Sequence, residues 1–180
     1  MPSVAVPVVE TQRLVLRGHR RDDLSAALAM WSQPAVARYV GGQPLDVEQV
    51  WTRMLRYVGH WSLMGFGYWV VCEKVSQRFV GEVGFGDFQR AGVPELHGVP
   101  EAGWAIAPEA QGRGFATEAM LAAQRWLVRT HGASRTACMI APDNTPSLRV
   151  AQKCGYRPWL KNVSYRGERA LLLQCTGLTP

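Results

Sequence analysis

The chain reads as one mixed-sheet α/β or α+β domain spanning residues 1–180, and three observations predict it. A length of 180 residues with 47% hydrophobic residues is enough for one buried core and short for two. Segments with strand character come early and in hairpin spacing, and a β-α-β-α-β half follows. Charged residues make up 19%, Gly and Pro are scattered, and no repeat or low-complexity tract interrupts the pattern, which argues against disorder.

Each element has a local cause. Residues 13–17, Arg-Leu-Val-Leu-Arg, alternate as a short strand does. Asp22 or Asp23 caps a helix running through Trp31, which must end near Pro34. Pro34 opens a short helical turn to Val40, and Gly41-Gly42 breaks it. Asp46 caps a longer helix, with Val47, Val50, Trp51, Met54, Leu55 and Val58 on one apolar face. The β-branched and aromatic runs 66–73 and 79–88 form a β-hairpin through a turn near Gln77. The Gly- and Pro-bearing loop 89–100 is expected to be exposed. Residues 101–107 form a further strand, ended by Pro108. A helix follows over about 116–131 with Gly132 as its stop, then a strand over 135–141. A helix over 145–154 ends at Gly155, and the remainder forms strands that turn at Arg166-Gly167.

Composition narrows the function classes. The longest uncharged run, Tyr57 to Cys72, is 16 residues with three glycines inside, too short and broken for a membrane span. The opening Met-Pro-Ser-Val-Ala-Val-Pro lacks a basic start and an apolar stretch, so no signal peptide is expected and the cytoplasm is the default location. The four cysteines (72, 138, 154, 175) and four histidines (19, 60, 97, 131) are dispersed, without metal-ligand or disulfide spacing. They predict no metal, and the cysteines read as small buried apolar residues. Net charge is +6, from 17 Arg and only 3 Lys among the cations, and 144–180 holds six basic residues against one acidic. Such a segment is a solvated basic surface or a face for phosphates.

The most informative stretch is 105–119. A strand ends, a Gly-containing loop follows and a helix begins, so unpaired N–H groups and the positive dipole end meet at one point, as a pyrophosphate requires. Gly112 and Gly114 let backbone approach phosphate oxygens, Ala116 is small for the same reason, and Thr117 adds a hydroxyl. A P-loop is excluded because its lysine is missing, and a dinucleotide fingerprint fails at its third glycine, where Thr117 stands.

Residues 111–116, Gln-Gly-Arg-Gly-Phe-Ala, match the Gln/Arg-x-x-Gly-x-Gly/Ala signature of the GNAT superfamily of N-acetyltransferases. Some thirty residues on, Asn144, Ser147, Lys153, Gly155 and Tyr156 resemble that family's second signature. The opening Glu10-Thr-Gln-Arg-Leu-Val-Leu-Arg17 resembles the branch that includes ribosomal-protein N-terminal acetyltransferases, and the likeness covers roughly 10–175. It implies the acyl-CoA N-acyltransferase fold: a mixed, mostly antiparallel sheet splayed between two strands, here 101–107 and 135–141, with helices on both faces. It implies acetyl-CoA as cosubstrate and a primary amine, either a protein N-terminus or a small molecule, as acceptor. Main-chain contacts to the pantetheine arm fall to Trp104, Ile106 and Ala107, and the pyrophosphate to Gln111, Gly112, Arg113, Gly114, Phe115, Ala116 and Thr117. Asn144 meets the pantetheine amide or caps its helix, and Lys153 or a nearby arginine meets the 3′-phosphate.

The chemistry is direct attack of a neutral amine on the thioester, which needs a base and a donor for the developing oxyanion. Glu101 is the first choice for the base and Glu82 the second. The oxyanion donor is a backbone N–H near Trp104 or Ala105. The family's usual tyrosine acid is replaced by Ala151, so Ser147 donates to the leaving thiolate or no protein group does. Trp31, Tyr39, Trp61, Phe66, Tyr68 and Trp69 are candidates to line the acceptor pocket. A non-catalytic acyl-CoA sensor and a nucleic-acid binder built on the basic C-terminal third are the other classes. No nucleic-acid motif is present, so neither nucleic acid nor membrane is expected as a partner, whereas homodimers are common on this fold.

Overall fold

The computed structural model describes residues 5–178. Met1–Val4, where a leader would begin, and Thr179–Pro180 lie outside the described residues. Eight strands form one sheet in the order β1-β2-β3-β4-β5-β6-β8-β7. They are β1 (Val9–Glu10), β2 (Leu14–Arg17), β3 (Tyr68–Glu73), β4 (Phe79–Gly86), β5 (Glu101–Ile106), β6 (Arg135–Ile140), β7 (Arg157–Tyr165) and β8 (Glu168–Thr176). The helices are α1 (Leu24–Trp31), α2 (Pro34–Ala37), α3 (Val47–Met64), α4 (Phe115–His131) and α5 (Thr145–Lys153). β1 alone among the strands had no counterpart in the sequence reading; its two residues pair with Val15 and Leu16 of β2.

Every neighbouring pair is antiparallel except β5–β6. That parallel pair touches at one register position, Glu101 opposite Ala137, where the Ala137 N–H donates to Pro100 O at 3.1 Å. Beyond it each strand stays with its outer neighbour, β5 with β4 and β6 with β8, so the sheet opens into a wedge.

Alternation along the strands splits the core between two faces. Val83, Phe85, Ala102 and Ile106 join Phe115, Ala119, Met120, Ala123 and Leu127 of α4. Phe79, Ala105 and Ala107 pack instead with Met30 and Trp31 of α1 and Val50 and Met54 of α3. Each fully buried large apolar side chain contributes about 1.5–3 kcal/mol, so the two layers clamp the open sheet from both sides. All four cysteines are buried and unpaired, as small apolar residues. No helix among the described residues is long and apolar enough to cross a membrane.

Three local expectations need correction. The six-residue apolar face on α3 is two faces: Val50 and Met54 turn inward with Tyr57 and Trp61, whereas Val47, Trp51, Leu55 and Val58 remain exposed. The buried arc follows the three- and four-residue steps 50, 54, 57 and 61, which the six-residue set did not include in full. The loop 89–100 is partly core, because Val93 and Leu96, the latter in a short 3₁₀ turn, are buried against Ala137 of β6 and Leu172 of β8. Neither Asp22 nor Asp23 caps α1 with its side chain. Asp23 instead accepts two bonds from Arg17, at 2.8 and 2.7 Å, and one from the Arg20 N–H at 2.7 Å. The expected cap at Asp46 is present, in a reciprocal box with Gln49.

Burial pushes the Asp23 carboxyl up, but Arg17 and the Arg20 N–H overcome it and hold it below its ordinary value. A depressed folded value means that the contribution is complete above the unfolded value of about 3.9 and is lost as pH falls through the folded one. Asp23→Asn should cost about 1.5–3 kcal/mol at pH 7 and flatten the acid limb of stability in denaturant titrations. An acid limb as steep as that of the parent chain would show that Asp23 does not supply it.

Candidate active site

Two regions distant in sequence meet along the wedge: the turn entering α4, and a polar cluster between β4 and the helices α1 and α3. The turn follows a 3₁₀ segment, Pro108–Ala110, that carries the chain out of β5. Gly112 and Gly114 have φ of 75° and 81°. A Cβ on Gly112 would meet no atom within 4 Å, so it is left-handed backbone and not crowding by this chain that calls for glycine. From Gly112 to Thr117 the N–H groups make no hydrogen bond to another described residue, and the helical ladder starts with Glu118 N to Gly114 O. These are the orphan donors of a helix start, extended backward through a glycine turn.

The turn is braced from three sides. The Gln111 amide donates to Ile106 O at 2.9 Å, so this side chain fastens the end of β5 and does not point to a ligand. Arg113 pairs with Glu73 of β3, which leaves only its main chain for the turn. Phe115 is buried between the guanidinium groups of Arg13 and Arg113, 4.7 and 4.4 Å from its ring centre. Glu118 accepts from Thr11 Oγ1 at 2.6 Å, Arg13 N at 2.9 Å and Arg13 Nε at 2.7 Å, and Arg13 Nη1 reaches Arg113 O at 3.0 Å. Burial raises the Glu118 carboxyl, yet Thr11 and Arg13 outweigh it and keep it below its ordinary value.

Beside the turn lies an open cleft of about 490 Å³ whose lining includes Gly114, Thr117, Leu121, Arg125 and Lys153. Lys153 thus lines the same cleft as the turn. Arg125 was not singled out, although Thr117, Leu121 and Arg125 follow four-residue spacing on one helix face and the signal was readable.

The strand edge corrects two expectations. The Ala107 N–H donates to Val80 O at 3.0 Å, and its carbonyl accepts from Ala110. Both main-chain groups are spent, so Ala107 offers nothing to the wedge. Alternation in the β4–β5 register then turns Ala105 toward β4 and Trp104 and Ile106 toward the opening. Because the Ile106 carbonyl is taken by Gln111, the free edge consists of both Trp104 groups and the Ile106 N–H. Of the two residues expected to offer an N–H here, the register leaves Trp104 facing the opening and Ala105 paired toward β4. Across the wedge, Asn144 Oδ1 caps α5 by accepting from Ser147 N at 3.2 Å, which leaves its amide N–H groups and the Ser147 hydroxyl without partners among the described residues. Tyr156 is buried against Thr136, at 2.9 Å between hydroxyls, and burial raises its pKa well above the ordinary value. Arg38 and Tyr39, past α2, meet Asp143 at the entry to α5.

Glu101 stands at the vertex of the wedge, buried, and both carboxylate oxygens are held by Arg90 at 2.7 Å. Burial works to lower the Arg90 pKa, but hydrogen bonds and charge from Glu101 raise it above its ordinary value. Both oxygens are occupied by the guanidinium, so Glu101 reaches an incoming proton only by breaking that pair, and the expectation that it is the first choice for the base is corrected on that geometry. Glu82 on β4 is also buried, but its partners are Trp31 Nε1 at 2.9 Å and His19 Nε2 at 3.1 Å. Around it stand Tyr57, stacked on Tyr68 at 4.3 Å, and Arg53 on the Trp31 ring at 4.1 Å.

Tyr68 spans the sheet. It pairs with Gly84, which pairs with Gly103, and a Cβ on Gly103 would collide with the Tyr68 hydroxyl. Two facing glycines thus let a phenol from β3 reach β5 beside Trp104. Burial, with Tyr57 and Glu101, raises its pKa well above the ordinary value, so it stays a donor. Of the six aromatics proposed to line the acceptor side, Trp31 and Tyr68 are in this cluster. Trp61 and Trp69 are core against Trp126, Phe66 packs on His131, and Tyr39 joins the Asp143 contact. His19, Arg53 and Tyr57 were not foreseen, since nothing in their local sequence marks them.

The model of the Acetyltransferase (GNAT) domain matches residues 13–157. The chain belongs to the GNAT acetyltransferase family. It is an acetyl-CoA-dependent acyltransferase that N-acetylates its acceptor. It is similar to a solved GnaT-family acetyltransferase from Bordetella pertussis, with 34% identity, 94% of this chain and 99% of that chain covered, and a TM-score of 0.83. It is 26% identical to an uncharacterized N-acetyltransferase of Bacillus subtilis over 84% of this chain and 83% of the relative. A spermidine N-acetyltransferase from Vibrio cholerae, solved with CoA and spermine, shares the fold at a TM-score of 0.70 and 18% identity, covering 93% of this chain and 97% of that one. Ribosomal-protein acetyltransferases stand among the structural matches as well.

Gly114→Ala tests the turn. An alanine held at this φ carries about 1–2 kcal/mol of strain, and relaxation re-aims the free N–H groups. CoA affinity in calorimetric titration should fall about tenfold, with only a small loss in melting temperature. Unchanged affinity would remove the turn from the phosphate role.

Proposed function

We propose that the acceptor is a primary amine bound between α1, α3 and the β4–β5 face, and that Glu82 is its base. The observation that carries this reading is the contrast between the two buried carboxylates on one face of the sheet. Glu101 is neutralised by a bidentate arginine, whereas Glu82 is held by an indole N–H and an imidazole with no guanidinium in contact. Glu82 also stands opposite Ala105, next to the free edge at Trp104.

The chain's residues fit acetyl-CoA. The open N–H groups of 112–117 suit a pyrophosphate, with Arg125 and Lys153 alongside for a further phosphate. The free groups of Trp104 and Ile106 suit an extended amide-bearing arm, and Asn144 has amide N–H groups to donate to it. Acetyl-CoA supplies an activated acyl group whose thiolate is the leaving group.

The protein's part is then positional and electrostatic. An alkyl ammonium has a pKa of about 10 and attacks only after losing a proton, which Glu82 accepts directly or through water. As the C–N bond forms, the Trp104 N–H donates to the carbonyl oxygen that gains charge, and the Tyr68 hydroxyl adds a second donor from the acceptor side. As the C–S bond breaks, Ser147 donates a hydrogen bond to the departing sulfur. A protein N-terminus and a small amine both fit this chemistry.

Glu82→Gln should lower kcat in a thiol-release assay by about 10²–10⁴ while the CoA-induced rise in melting temperature persists. Glu101→Gln should instead lower thermal stability and leave the pH dependence of kcat in place. Near-normal kcat in the Glu82 variant would return the base role to another group. Full kcat in Ser147→Ala would dismiss Ser147 as the donor.

A further inference from the structure

Arg53 is the cation that the acetyl-transfer chemistry leaves unexplained. It projects from α3 into the cluster around Glu82. Its guanidinium lies on the face of Trp31 at 4.1 Å, its Nη1 donates to Tyr57 Oη at 3.0 Å, and its Nε is buried without a partner. Among the described residues no carboxylate comes within ion-pair distance of it, nor of Arg56 one turn along, although the nearby charge of Glu82 acts on Arg53 without touching it. Arg56 is exposed and lies over Phe88 at 5.1 Å, and its guanidinium is 5.8 Å from the Tyr57 ring centre. Burying a cation with unfilled donors costs free energy unless an anion arrives to meet it.

The position of that cation is specific. Trp31 is shared: its N–H donates to Glu82 and its ring face carries Arg53. A negative and a positive charge are thereby anchored on a single indole. A ligand complementary to both carries an amine and a carboxylate only a few bonds apart.

We infer that the acceptor is an amine bearing a nearby carboxylate, with the amine at Glu82 and the carboxylate at Arg53 and Arg56. The inference rests on the placement of the acceptor beside Glu82. Either a free α-amino acid or an acidic protein N-terminus supplies this chemistry. A polyamine does not, because its second ammonium would face two guanidinium groups instead of a carboxylate. Phe88, whose ring lies under Arg56, gives the aliphatic part of such an acceptor an aromatic neighbour.

The test uses the full chain with CoA present. Free amino acids are compared with their α-carboxamides, and Ser-Asp-Asp-type peptides with their Ser-Asn-Asn counterparts, with spermidine as the cationic control. Each is titrated calorimetrically and assayed for thiol release from acetyl-CoA. A carboxylate should improve binding about tenfold over its amide. Loss of the preference on amidation of the α-carboxyl identifies a free amino acid, and loss on replacing the Asp side chains identifies a peptide. Arg53→Met should abolish the preference with CoA affinity and melting temperature retained, and Arg53→Lys should keep part of it. Arg56→Gln, on an exposed side chain, should weaken the preference if Arg53→Met proves unstable.

Equal binding of acid and amide, tighter binding of spermidine, no binding of any carboxylate amine, or an unchanged preference in both arginine variants would overturn the inference. Failure of the reading beneath it looks different: no thiol release with any amine, a neutral arylalkylamine included, whatever the binding order.

Discussion

The architecture turns on one strand contact that stops almost as soon as it begins. β5 and β6 pair only where Glu101 faces Ala137, and each then follows its outer partner. Backbone polar groups left unpaired inside a protein must find partners or water. The chain meets this demand selectively. Gln111 satisfies the Ile106 carbonyl, and Val80 and Ala110 take both groups of Ala107. What stays open is a short edge at Trp104 and Ile106, one strand end away from the run of free N–H groups before α4. The Glu101–Arg90 pair is placed to hold the vertex of the wedge. In sequence that carboxylate has the position of a base; in space both of its oxygens are held by Arg90.

A similar division of labour runs through the phosphate turn. Its polar side chains are engaged with other parts of the chain and not with the free N–H groups of the turn. Arg113 goes to Glu73, Gln111 to β5, and Glu118 to Thr11 and Arg13. The side chains hold a backbone shape that leaves the N–H groups of 112–117 without partners among the described residues. Glycine at two left-handed positions and a helix start supply a fixed set of donors that need no charged side chain.

The acceptor side follows another logic. There the polar groups are side chains from segments far apart in sequence, gathered around Trp31 and the Gly84–Gly103 pair. The two glycines matter for what they omit, since their missing side chains admit the phenol of Tyr68 to β5. Glu82, held by Trp31 and His19, and Arg53, stacked on the same indole, give this face a paired charge pattern.

By itself the sequence determined the elements apart from β1, their order, the glycine turn before α4 and the family. These depend on interactions within a few residues: alternation in strands, apolar spacing in helices, glycine at positive φ, and a motif read as consecutive residues. Tertiary structure decided the rest. It chose which of two buried glutamates is paired with an arginine, because Arg90 reaches Glu101 across a loop whereas Glu82 is met by Trp31 and His19. It decided that Ala107 is spent and Trp104 open, because that depends on the register of β5 against β4. It also brought Arg53 and Glu82 onto one indole from a helix and a strand that share no local pattern. Local preference is written in neighbouring residues, whereas the pairing of charges across a core depends on how the layers pack.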